Sequence, residues 1–507
     1  MITSDATRIL TGRELIDIVL DAGSFEPWDA TPVQLMTGGP GYADDLRRAR
    51  ERSGVDESIL TGRGQISGRD VAVVVSEFSF LAGSIGTAAA HRLEAAIRRA
   101  TAERLPLLAA PASGGTRMQE GTPAFVQMVS ITAAVIDHKT AGLPYIVYLR
   151  HPTTGGVYAS WGSLGQITVA EPGALVGFLG PKVYRALYDA DFPTGVQTAE
   201  NLARHGVIDA VVRPESLAAL ASRILAILDA PRTPRPVNRP DPEPSPDLGG
   251  VPVWELIQRS RDPRRKGIRE LIPVITQDAV PIFGTGAGES HPGLLMALAL
   301  LDNIPCVIIG QDRTGQRRRG PLGPGAFRQV RRAVRLAEEL DLPIVLVIDT
   351  SGAELSAEAE QKGIAGEIAR CLADLLTFRA ASVSVLLGEG SGGGALALLP
   401  ADRIIATESS WLSPLPPEGA SAIMHSGDTS FAGSLAEQQR VGAHELWRLG
   451  IVDRIAGDYE SPHAQRLLGQ AIADELRTAI ADPATSRNAA RSARFRRLSS
   501  SPGISGG

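Results

Sequence analysis

The chain contains the same succession of apolar runs and glycine turns twice, and this repeat constrains the fold more than any other feature of the sequence. In each block a first apolar run leads to a turn that begins with Ser-Gly, and a second run leads to a Gly-Gly pair. The landmarks are 105–112 with Ser113-Gly114-Gly115 and 143–149 with Gly155-Gly156 in the first block, and 342–350 with Ser351-Gly352-Ala353 and 381–388 with Gly393-Gly394 in the second. In both blocks the Gly-Gly pair begins 42 positions after the serine (155 − 113 and 393 − 351). The pattern predicts one domain duplicated in tandem.

A third landmark keeps the same order. The stretch HGVIDAVV at 205–212 resembles LGIVDRIA at 449–456, with an offset of 244 (450 − 206), against 238 for the glycine turns (351 − 113). Within each block, short runs rich in Val, Ile and Leu predict buried strands, and the stretches 87–105 and 326–340 have the spacing of amphipathic helices. Strand, glycine turn, helix, strand is the order of βα units. We therefore expect an α/β fold with a mainly parallel sheet in each block.

A proline-rich segment separates the two blocks. Residues 231–250 are dense in proline and charge and have almost nothing to bury, which predicts a stiff, extended linker. The polar tail 481–507, rich in Ser, Arg and Gly, is predicted to be disordered. The two blocks are assigned to an N-terminal domain over 1–230 and a C-terminal domain over 251–480.

The bulk composition excludes several classes of protein. Of the 507 residues, 43% are hydrophobic and 21% are charged, and the net charge of −5 gives no reason to expect a nucleic-acid partner. Two cysteines, Cys306 and Cys371, are too few for a disulfide framework or a four-cysteine zinc site, and the histidines lack metal-ligand spacing. The N-terminus lacks the pattern of a secretory signal, and no apolar run is long enough to span a membrane. We expect no metal, no membrane segment and a cytoplasmic location.

The glycine turns are the places where this sequence can carry chemistry. Each turn follows a predicted strand and precedes a predicted helix, and glycine allows backbone N–H groups to come close to a ligand. Two such groups that converge on one point stabilise a developing oxyanion. A single Gly-Gly pair is most often only a tight turn, but four turns at repeated positions favour a function. The sequence has no phosphate-binding loop, nucleophile elbow or metalloprotease motif.

Both blocks resemble a known family. Three stretches of the first block, SGGTRMQEG (113–121), PTTGGVYASWGSLG (152–165) and AEPGALVGFLGP (170–181), resemble the β subunit of bacterial acetyl-CoA carboxylase carboxyltransferase. The second block resembles the α subunit of the same enzyme through IDTSGAE (348–354), GEGSGGGALAL (388–398) and SPLPPEGASAI (413–423). The resemblance implies the carboxyltransferase of a biotin-dependent acyl-CoA carboxylase, with its two halves fused in one chain.

The resemblance also implies a fold, a reaction and partners. The fold is two tandem crotonase-like domains of the ClpP/crotonase superfamily. The reaction moves a carboxyl group from carboxybiotin, held by a separate carrier protein, to acetyl-CoA or propionyl-CoA, and gives malonyl-CoA or methylmalonyl-CoA. The expected partners are the biotin carboxylase and biotin carboxyl carrier subunits, and no cofactor is bound covalently to this chain. A homodimer or hexamer is expected, with the N-terminal half of one chain on the C-terminal half of its partner.

The family's site is carried over by position onto the glycine turns. Gly115 and Gly156 are expected at the thioester of the acyl-CoA, and their neighbours Gly114 and Gly155 belong to the same two turns. The residues expected at the ureido carbonyl of biotin are Gly393, Gly394 and Ala395. Such chemistry needs two anion-binding sites and no dedicated side-chain base, which agrees with a sequence that shows no catalytic triad or carboxylate pair.

Four arginines are candidates for contacts with the phosphates of CoA. Arg117 follows the first turn, although an inward arginine there can serve only to pin the loop. Arg317, Arg318 and Arg319 lie where the family has a lysine-rich loop, and a solvated basic loop is an equally good interpretation. The chain also lacks the four-cysteine zinc ribbon with which the bacterial β subunit begins.

Two other functions remain open at the level of sequence. A decarboxylase of the same fold would use the same glycine turns in reverse, so the turns cannot distinguish it; the fused α-like half and the SPLPPEG segment favour the carboxylase. A non-catalytic assembly subunit would keep the fold without turnover. The intact glycines at all four turns argue against that alternative.

Overall fold

The computed structural model describes residues 9–28, 32, 41–231 and 251–500. It divides into two compact units: the first runs to Ala226 and includes Gly286–Gly288, and the second takes the remainder. Nearly all of the predicted linker, residues 232–250, lies outside the described residues.

The first unit contains nine strands, eight α-helices and three short 3₁₀ helices among its described residues. The strands are β1 (Glu26–Pro27), β2 (Ile59–Ile66), β3 (Arg69–Ser76), β4 (Leu107–Ala110), β5 (Tyr145–Leu149), β6 (Thr153–Thr154), β7 (Ile167–Ala170), β8 (Val176–Gly177) and β9 (Ala210–Val211). The helices are α1 (Gly12–Val19), α2 (Tyr42–Ser53), α3 (Thr87–Ala102), α4 (Gly121–Thr140), α5 (Gly155–Tyr158), α6 (Pro181–Tyr188), α7 (Ala199–Arg204) and α8 (Pro214–Leu228).

The second unit contains eight strands and twelve helices in the part that the structure describes. The strands are β10 (Asp278–Ile282), β11 (Leu294–Leu301), β12 (Ile304–Gln311), β13 (Ile344–Thr350), β14 (Ser382–Ser391), β15 (Arg403–Thr407), β16 (Trp411–Ser413) and β17 (Arg454–Ala456). The helices are α9 (Val253–Ser260), α10 (Ile268–Ile275), α11 (Arg313–Arg319), α12 (Pro324–Glu339), α13 (Ala357–Gln361), α14 (Ile364–Thr377), α15 (Gly392–Leu396), α16 (Pro417–Met424), α17 (Ala432–Gln438), α18 (Ala443–Arg448), α19 (Pro462–Ala481) and α20 (Ala484–Ser500).

Each unit is built on one sheet, and the two sheets have the same strand order. The first runs β1-β2-β3-β4-β5-β7-β9 and the second β10-β11-β12-β13-β14-β15-β17, with β16 added beside β14. The first three strands of each sheet pair antiparallel and the later strands pair parallel. The predictions of an α/β fold with a mainly parallel sheet and of an internal repeat are confirmed. The antiparallel edge was not predicted.

The repeat is shifted by one residue from the predicted match. Leu107 of β4 pairs with Tyr145 of β5, and Ile344 of β13 pairs with Ser382 of β14, so the offset between equivalent residues is 237 (344 − 107 and 382 − 145). The offset of 238 read from the serines of the two first turns is therefore wrong by one. The predicted offset of 244 near the third landmark is confirmed, because Ala210 and Arg454 occupy equivalent positions in β9 and β17.

The predicted strands and helices occur where the apolar patterns placed them. Helix α12 shows why: Pro324 stands in its first turn, where a missing N–H costs nothing, and one face buries Phe327, Val330 and Val334. The strands at the centre of each sheet are buried along their whole length, as in β5 and β13. Each unit thus has its own apolar core, formed by the sheet and the helices packed on it.

The prediction of a disordered tail over 481–507 is wrong for most of that segment. Residues 484–500 form α20, and the Arg491 side chain, 1% exposed, is buried against the second unit. Its guanidinium pairs with Asp402 at 2.8 Å and donates to the carbonyl of Phe378 at 3.1 Å, while Arg494 pairs with Asp453 at 2.7 Å. The arginine content of this segment is part of the reason to predict disorder. In the structure, arginines supply the contacts that hold α20 against the rest of the second unit.

Two further expectations bear on the chain as a whole. Cys306 and Cys371 are unpaired and buried, and burial raises the pKa of each thiol to about 12. Of the helices within the described residues, none has the length and apolar character that crossing a membrane requires.

Candidate functional site

The first glycine turn of the first unit follows β4 and is closed by the hydroxyl of Ser113. The Ser113 Oγ accepts the N–H of Gly115 at 3.0 Å, and Gly115 has φ +110°, a conformation that favours glycine. The N–H of Gly114 donates to the carbonyl of Ala82 at 2.9 Å. These two amides build the turn and are not available to a ligand. The next amide, that of Thr116, has no acceptor among the described residues.

The second turn of the first unit opens the short helix α5. Gly155 has φ +61° and its N–H donates to the carbonyl of Phe178 at 3.0 Å. The N–H of Gly156, the second residue of the helix, finds no acceptor in the part of the chain described. A Cβ placed on Gly156 would lie 3.1 Å from the Thr116 Oγ1. The two turns therefore meet, and the amides of Thr116 and Gly156 form what we call the first cradle.

The second unit repeats this arrangement with different residues. The Thr350 Oγ1 accepts the N–H of Gly352 at 3.2 Å, and Gly352 has φ +139°. Gly392 opens helix α15 with φ +60°. By role, Gly352 is the equivalent of Gly115, and Gly392 is the equivalent of Gly155 (392 − 155 = 237). The sequence match of Gly393 with Gly155 is wrong by one, because the run Ser-Gly-Gly-Gly at 391–394 offers more than one alignment.

The amides of Ala353 and Gly393 form the second cradle. Both lack an acceptor among the described residues, as do their equivalents in the first unit. A Cβ placed on Gly394 would lie 3.1 Å from the backbone nitrogen of Ala353, so this glycine allows the first turn of α15 to approach the preceding turn. Ala395 is buried in α15. The structure thus brings together all three predicted residues of this half, and adds Ala353.

The space beside the first turn differs between the two cradles. A Cβ placed on Gly115 would lie 3.5 Å from the backbone nitrogen of Gly156, whereas one placed on the equivalent Gly352 would meet only the Ser391 Oγ, at 4.0 Å. An added side chain at Gly352 would therefore meet more open space than one at Gly115, although Gly394 brings the two turns of the second unit close together.

Two glutamines hold the second cradle, and sequence analysis missed both. The buried side chain of Gln311 donates to the carbonyl of Gly394 at 2.7 Å and accepts the N–H of Asp349 at 2.9 Å. Gln316 donates to the Asp349 carbonyl at 3.0 Å and accepts the Thr350 hydroxyl at 2.6 Å. Gln311 thus ties the end of β13 to α15, and Gln316 ties the same end to α11. Both glutamines lie far from the turns in sequence, and neither belongs to a recognisable motif. The sequence alone therefore gave no signal that they contact the turns.

Arg117 is not available to a phosphate. Its guanidinium is buried and pairs with Glu57 and with Glu120, and it also donates to the Tyr42 hydroxyl at 3.2 Å and to the Ser84 carbonyl at 2.9 Å. The assignment of Arg117 to CoA is therefore corrected: the side chain pins the loop that carries the first turn. Its positive charge is satisfied within the protein.

The carboxylate of Glu120 completes this buried cluster. It accepts the Thr87 N–H and hydroxyl, both at 2.7 Å, and the hydroxyl of Tyr42. Burial alone would raise the pKa of Glu120, but these hydrogen bonds and the charge of Arg117 hold it below its ordinary value. Burial and the hydrogen bond to Glu120 raise the pKa of Tyr42 to about 12. The Glu120 carboxyl is therefore ionised and the Tyr42 hydroxyl neutral at neutral pH.

Arg317, Arg318 and Arg319 are exposed in the last turn of α11. Arg317 donates to the carbonyl of Pro263 at 3.5 Å. The helix begins at Asp312, whose side chain accepts the N–H groups of the first turn, so the three arginines lie at the end where positive charge is favourable. Their geometry fits either a solvated helix end or a phosphate contact.

A charged network lies behind the second cradle. Arg265 and Asp349, both buried, pair at 2.6 Å, and the same Asp349 Oδ1 accepts the N–H of Glu389 at 3.2 Å. Burial, together with the negative charge of Asp349, raises the pKa of Glu389. In the part of the chain that is described, no group of three or more His, Cys, Asp or Glu side chains could hold a metal ion.

The arrangement can bind and stabilise negative charge on oxygen. Each cradle presents two backbone amides from different segments, and in the first unit the neighbouring N–H groups of Gly114, Gly115 and Gly155 already have acceptors within the protein. The nearest side chains to the Gly156 position, Thr116 and Met128, carry no group that removes a proton from carbon at neutral pH.

Comparison with known proteins gives a consistent result. Residues 8–460 match the family described as Carboxyl transferase domain. Over 496 residues the chain is 52% identical to the probable biotin-dependent acyl-coenzyme A carboxylase beta3 subunit of Mycobacterium tuberculosis (strain ATCC 25618 / H37Rv), covering 96% of this chain and 98% of that one. It is 35% identical to the acetyl-coenzyme A carboxylase carboxyl transferase subunits beta/alpha of Saccharopolyspora erythraea, over 93% of this chain and 85% of that protein.

Among solved structures, the chain resembles transcarboxylase 12S, in a crystal structure described as a hexamer assembly with hydrolysed methylmalonyl-coenzyme A bound. The TM-score is 0.74 at 20% identity, over 94% of this chain and 91% of that chain. A single-chain, multi-domain long-chain acyl-CoA carboxylase matches 91% of this chain and 46% of its own, with a TM-score of 0.69 at 17% identity. At these identities the likeness shows a shared fold.

Proposed function

The chain belongs to the carboxyl transferase domain family and is a carboxyltransferase subunit of a biotin-dependent acyl-CoA carboxylase, and from this premise we propose its substrate and its working parts. The acceptor is acetyl-CoA or propionyl-CoA, which is carboxylated to malonyl-CoA or methylmalonyl-CoA. The carboxyl group comes from carboxybiotin on a separate carrier subunit. The relatives named as acetyl-coenzyme A carboxylase subunits support the choice of a short acyl group.

The observation that carries the mechanism is the pair of cradles. The first cradle, Thr116 and Gly156, holds the thioester oxygen of the acyl-CoA and stabilises the enolate that forms when the α-proton leaves. The second cradle, Ala353 and Gly393, holds the ureido oxygen of biotin. Carboxybiotin supplies the CO₂ and, once decarboxylated, the base that takes the α-proton. The fold of each unit is crotonase-like under this proposal, and no side chain of the protein acts as the base.

The exposed arginines and the assembly belong to the same proposal. Arg317, Arg318 and Arg319 pair with CoA phosphates, and replacing all three with alanine would raise the KM for the acyl-CoA.

The chain works as a homodimer or hexamer bound to its biotin carboxylase and carrier subunits. Support comes from apolar side chains left on the surface of each unit: Met118, 85% exposed, and Leu355, 90% exposed, occupy equivalent positions after the first turn (355 − 118 = 237).

The test is a transfer assay with a purified, carboxylated carrier protein and a panel of acetyl-, propionyl- and longer acyl-CoAs. We expect incorporation into acetyl-CoA or propionyl-CoA. Loss of CO₂ from malonyl-CoA without transfer in either direction would favour a decarboxylase, and incorporation into none of the acyl-CoAs would favour an assembly subunit.

A further inference from the structure

Ser391 carries a buried hydroxyl that the protein does not use. It is the last residue of β14 and the residue before helix α15, and its side chain is 1% exposed. Among the described residues its Oγ has no hydrogen-bond partner. Ser413 of β16 is its register partner, and the Ser413 Oγ is also buried and without a partner in the part of the chain described. Buried hydroxyls left in this way lower the stability of a protein, and such groups often serve a function.

The first unit does not repeat this feature. The equivalent of Ser391 is Thr154 (391 − 154 = 237), and the Thr154 Oγ1 donates to the carbonyl of Ser113 at 3.4 Å. Thr154 pairs with Gly177, which stands where the second unit has Ser413 and brings no hydroxyl. The two spare hydroxyls therefore distinguish the second cradle from the first, although the backbone of the two turns is the same.

The Ser391 hydroxyl lies beside the second cradle. A Cβ placed on Gly352 would be 4.0 Å from the Ser391 Oγ, and Ser391 directly precedes the first turn of α15, which carries the Gly393 amide. In the first unit the corresponding Cβ would be 3.5 Å from a backbone nitrogen, so the space beside Gly352 is more open. The second cradle thus combines two free amides with a hydroxyl that can rotate its proton toward a bound oxygen.

We propose that Ser391 is a ligand-binding residue of the second cradle, whose hydroxyl donates a hydrogen bond to the oxygen of a ureido group bound there, with Ser413 as its neighbour. This inference rests on the proposed function, because it takes biotin as the ligand of that cradle. A ureido oxygen accepts several hydrogen bonds at once, so a third donor adds to the two amides.

The experiment compares Ser391→Ala with the wild-type chain in its complex, using free biotin as the probe. In the reverse reaction the carboxyl group moves from malonyl-CoA or methylmalonyl-CoA to the biotin nitrogen, and the proton of that nitrogen ends on the α-carbon of the acyl-CoA. Ser391→Ala is expected to raise the KM for free biotin about three- to tenfold, the effect of one hydrogen bond, and to leave the KM for the acyl-CoA unchanged. The Tm is expected to stay equal or rise, because a buried hydroxyl without a protein partner is removed.

Ser384→Ala is the matched control. Ser384 is a buried serine of the same strand, but its Oγ donates to the Leu398 carbonyl at 2.6 Å. This variant is expected to lower the Tm and leave the KM for biotin unchanged, the opposite of Ser391→Ala. Ser391→Thr, which keeps the hydroxyl and introduces the residue that the first unit has, is expected to restore the KM.

Two results would overturn the inference. An unchanged KM for biotin in Ser391→Ala would show that the hydroxyl does not reach the ligand, and a fall in Tm with a parallel loss of all activity would show a structural role. Both results are read only where the wild-type complex is active. Absence of transfer by the wild type itself would instead count against the proposed function.

Discussion

Gly156 and Gly394 differ in what an added side chain would meet. At Gly156 the nearest atoms are the Thr116 Oγ1 at 3.1 Å and the Met128 Cγ at 3.5 Å, both in side chains that can move. At Gly394 they are backbone atoms, including the nitrogen of Ala353 at 3.1 Å. A side chain at Gly156 therefore covers the first cradle, whereas one at Gly394 displaces the second cradle itself.

We expect Gly156→Val to lower the rate of carboxyl transfer by about 10²–10³, the usual loss when one oxyanion donor is removed. The free energy of unfolding should change little. For Gly394→Val both the rate and the stability should fall. Transfer assays and urea unfolding measure the two effects, and Gly419→Ala is the control, since a Cβ there has nothing within 4 Å. A near-normal rate in Gly156→Val would remove the basis of the first cradle.

Gln311 acts on the second cradle through other residues. Its amide joins the Gly394 carbonyl to the Asp349 N–H, so Gln311→Met keeps the volume and loses both bonds. We expect about 1–3 kcal/mol less stability, because two buried backbone groups lose their partner. The KM for free biotin should also rise, and Gln311→Glu, which keeps the acceptor alone, should give only partial recovery. Gln470→Met, at an exposed position of α19, is the control. Lower stability with an unchanged KM would make Gln311 structural only.

At the scale of elements, the same order of strands and turns occurs in both units, and the differences between the units lie in what holds each turn. In the first unit a buried Arg117 pins the loop, and its positional equivalent in the second unit is Glu354 (354 − 117 = 237). The second unit uses Gln311 and Gln316 instead. The backbone geometry of the turns is therefore preserved while the side chains that support it have been exchanged.

Helix α20 provides the prediction at this scale. Arg491 pairs with Asp402 at 2.8 Å with both side chains buried, so Arg491→Met leaves a buried carboxylate without its cation. We expect the second unit to lose about 3–5 kcal/mol of unfolding free energy, measured by urea unfolding. Arg264→Met, at a side chain that is 90% exposed, should be close to neutral. A change below about 1 kcal/mol for Arg491→Met would mean that α20 does not stabilise the unit.

At the scale of the whole molecule, the proposed mechanism needs one cradle from each unit, and these can come from one chain or from two. Under the proposed homo-oligomer they come from two chains, as in a symmetric assembly with equivalent sites. Mixing Gly156→Val with Gly394→Val under conditions of chain exchange separates the two cases. A mixed dimer would then hold one site with both lesions and one intact site.

Random exchange should return about a quarter of the wild-type activity, since half of the dimers are mixed and each has one intact site. Exchange is followed with differently tagged chains. If Gly394→Val does not fold, Gly393→Ala replaces it, because a Cβ on Gly393 meets only the side chain of Ile368. Exchange without recovery of activity would place each site within a single chain.

The sequence by itself determined the class of fold, the repeat and the location of the chemistry. Periodic apolar residues and glycines act locally, so the strands before the turns, the helices α3 and α12 and the turns at Gly115 and Gly156 could be predicted from nearby residues alone. The resemblance to carboxyltransferases rested on the same local stretches.

Only the tertiary structure decided which amides are free and what supports them. The N–H groups of Gly114 and Gly115 are used up by Ala82 and Ser113, which moves the cradle to Thr116. The sequence Ser-Gly-Gly-Gly is compatible with a match of Gly155 to either Gly392 or Gly393. The pairing of β13 with β14 decides between these two registers. The burial of Arg117 and the docking of α20 likewise depend on partners far away in the chain. A hydrogen-bond partner is a property of three-dimensional position, and a local pattern does not record it.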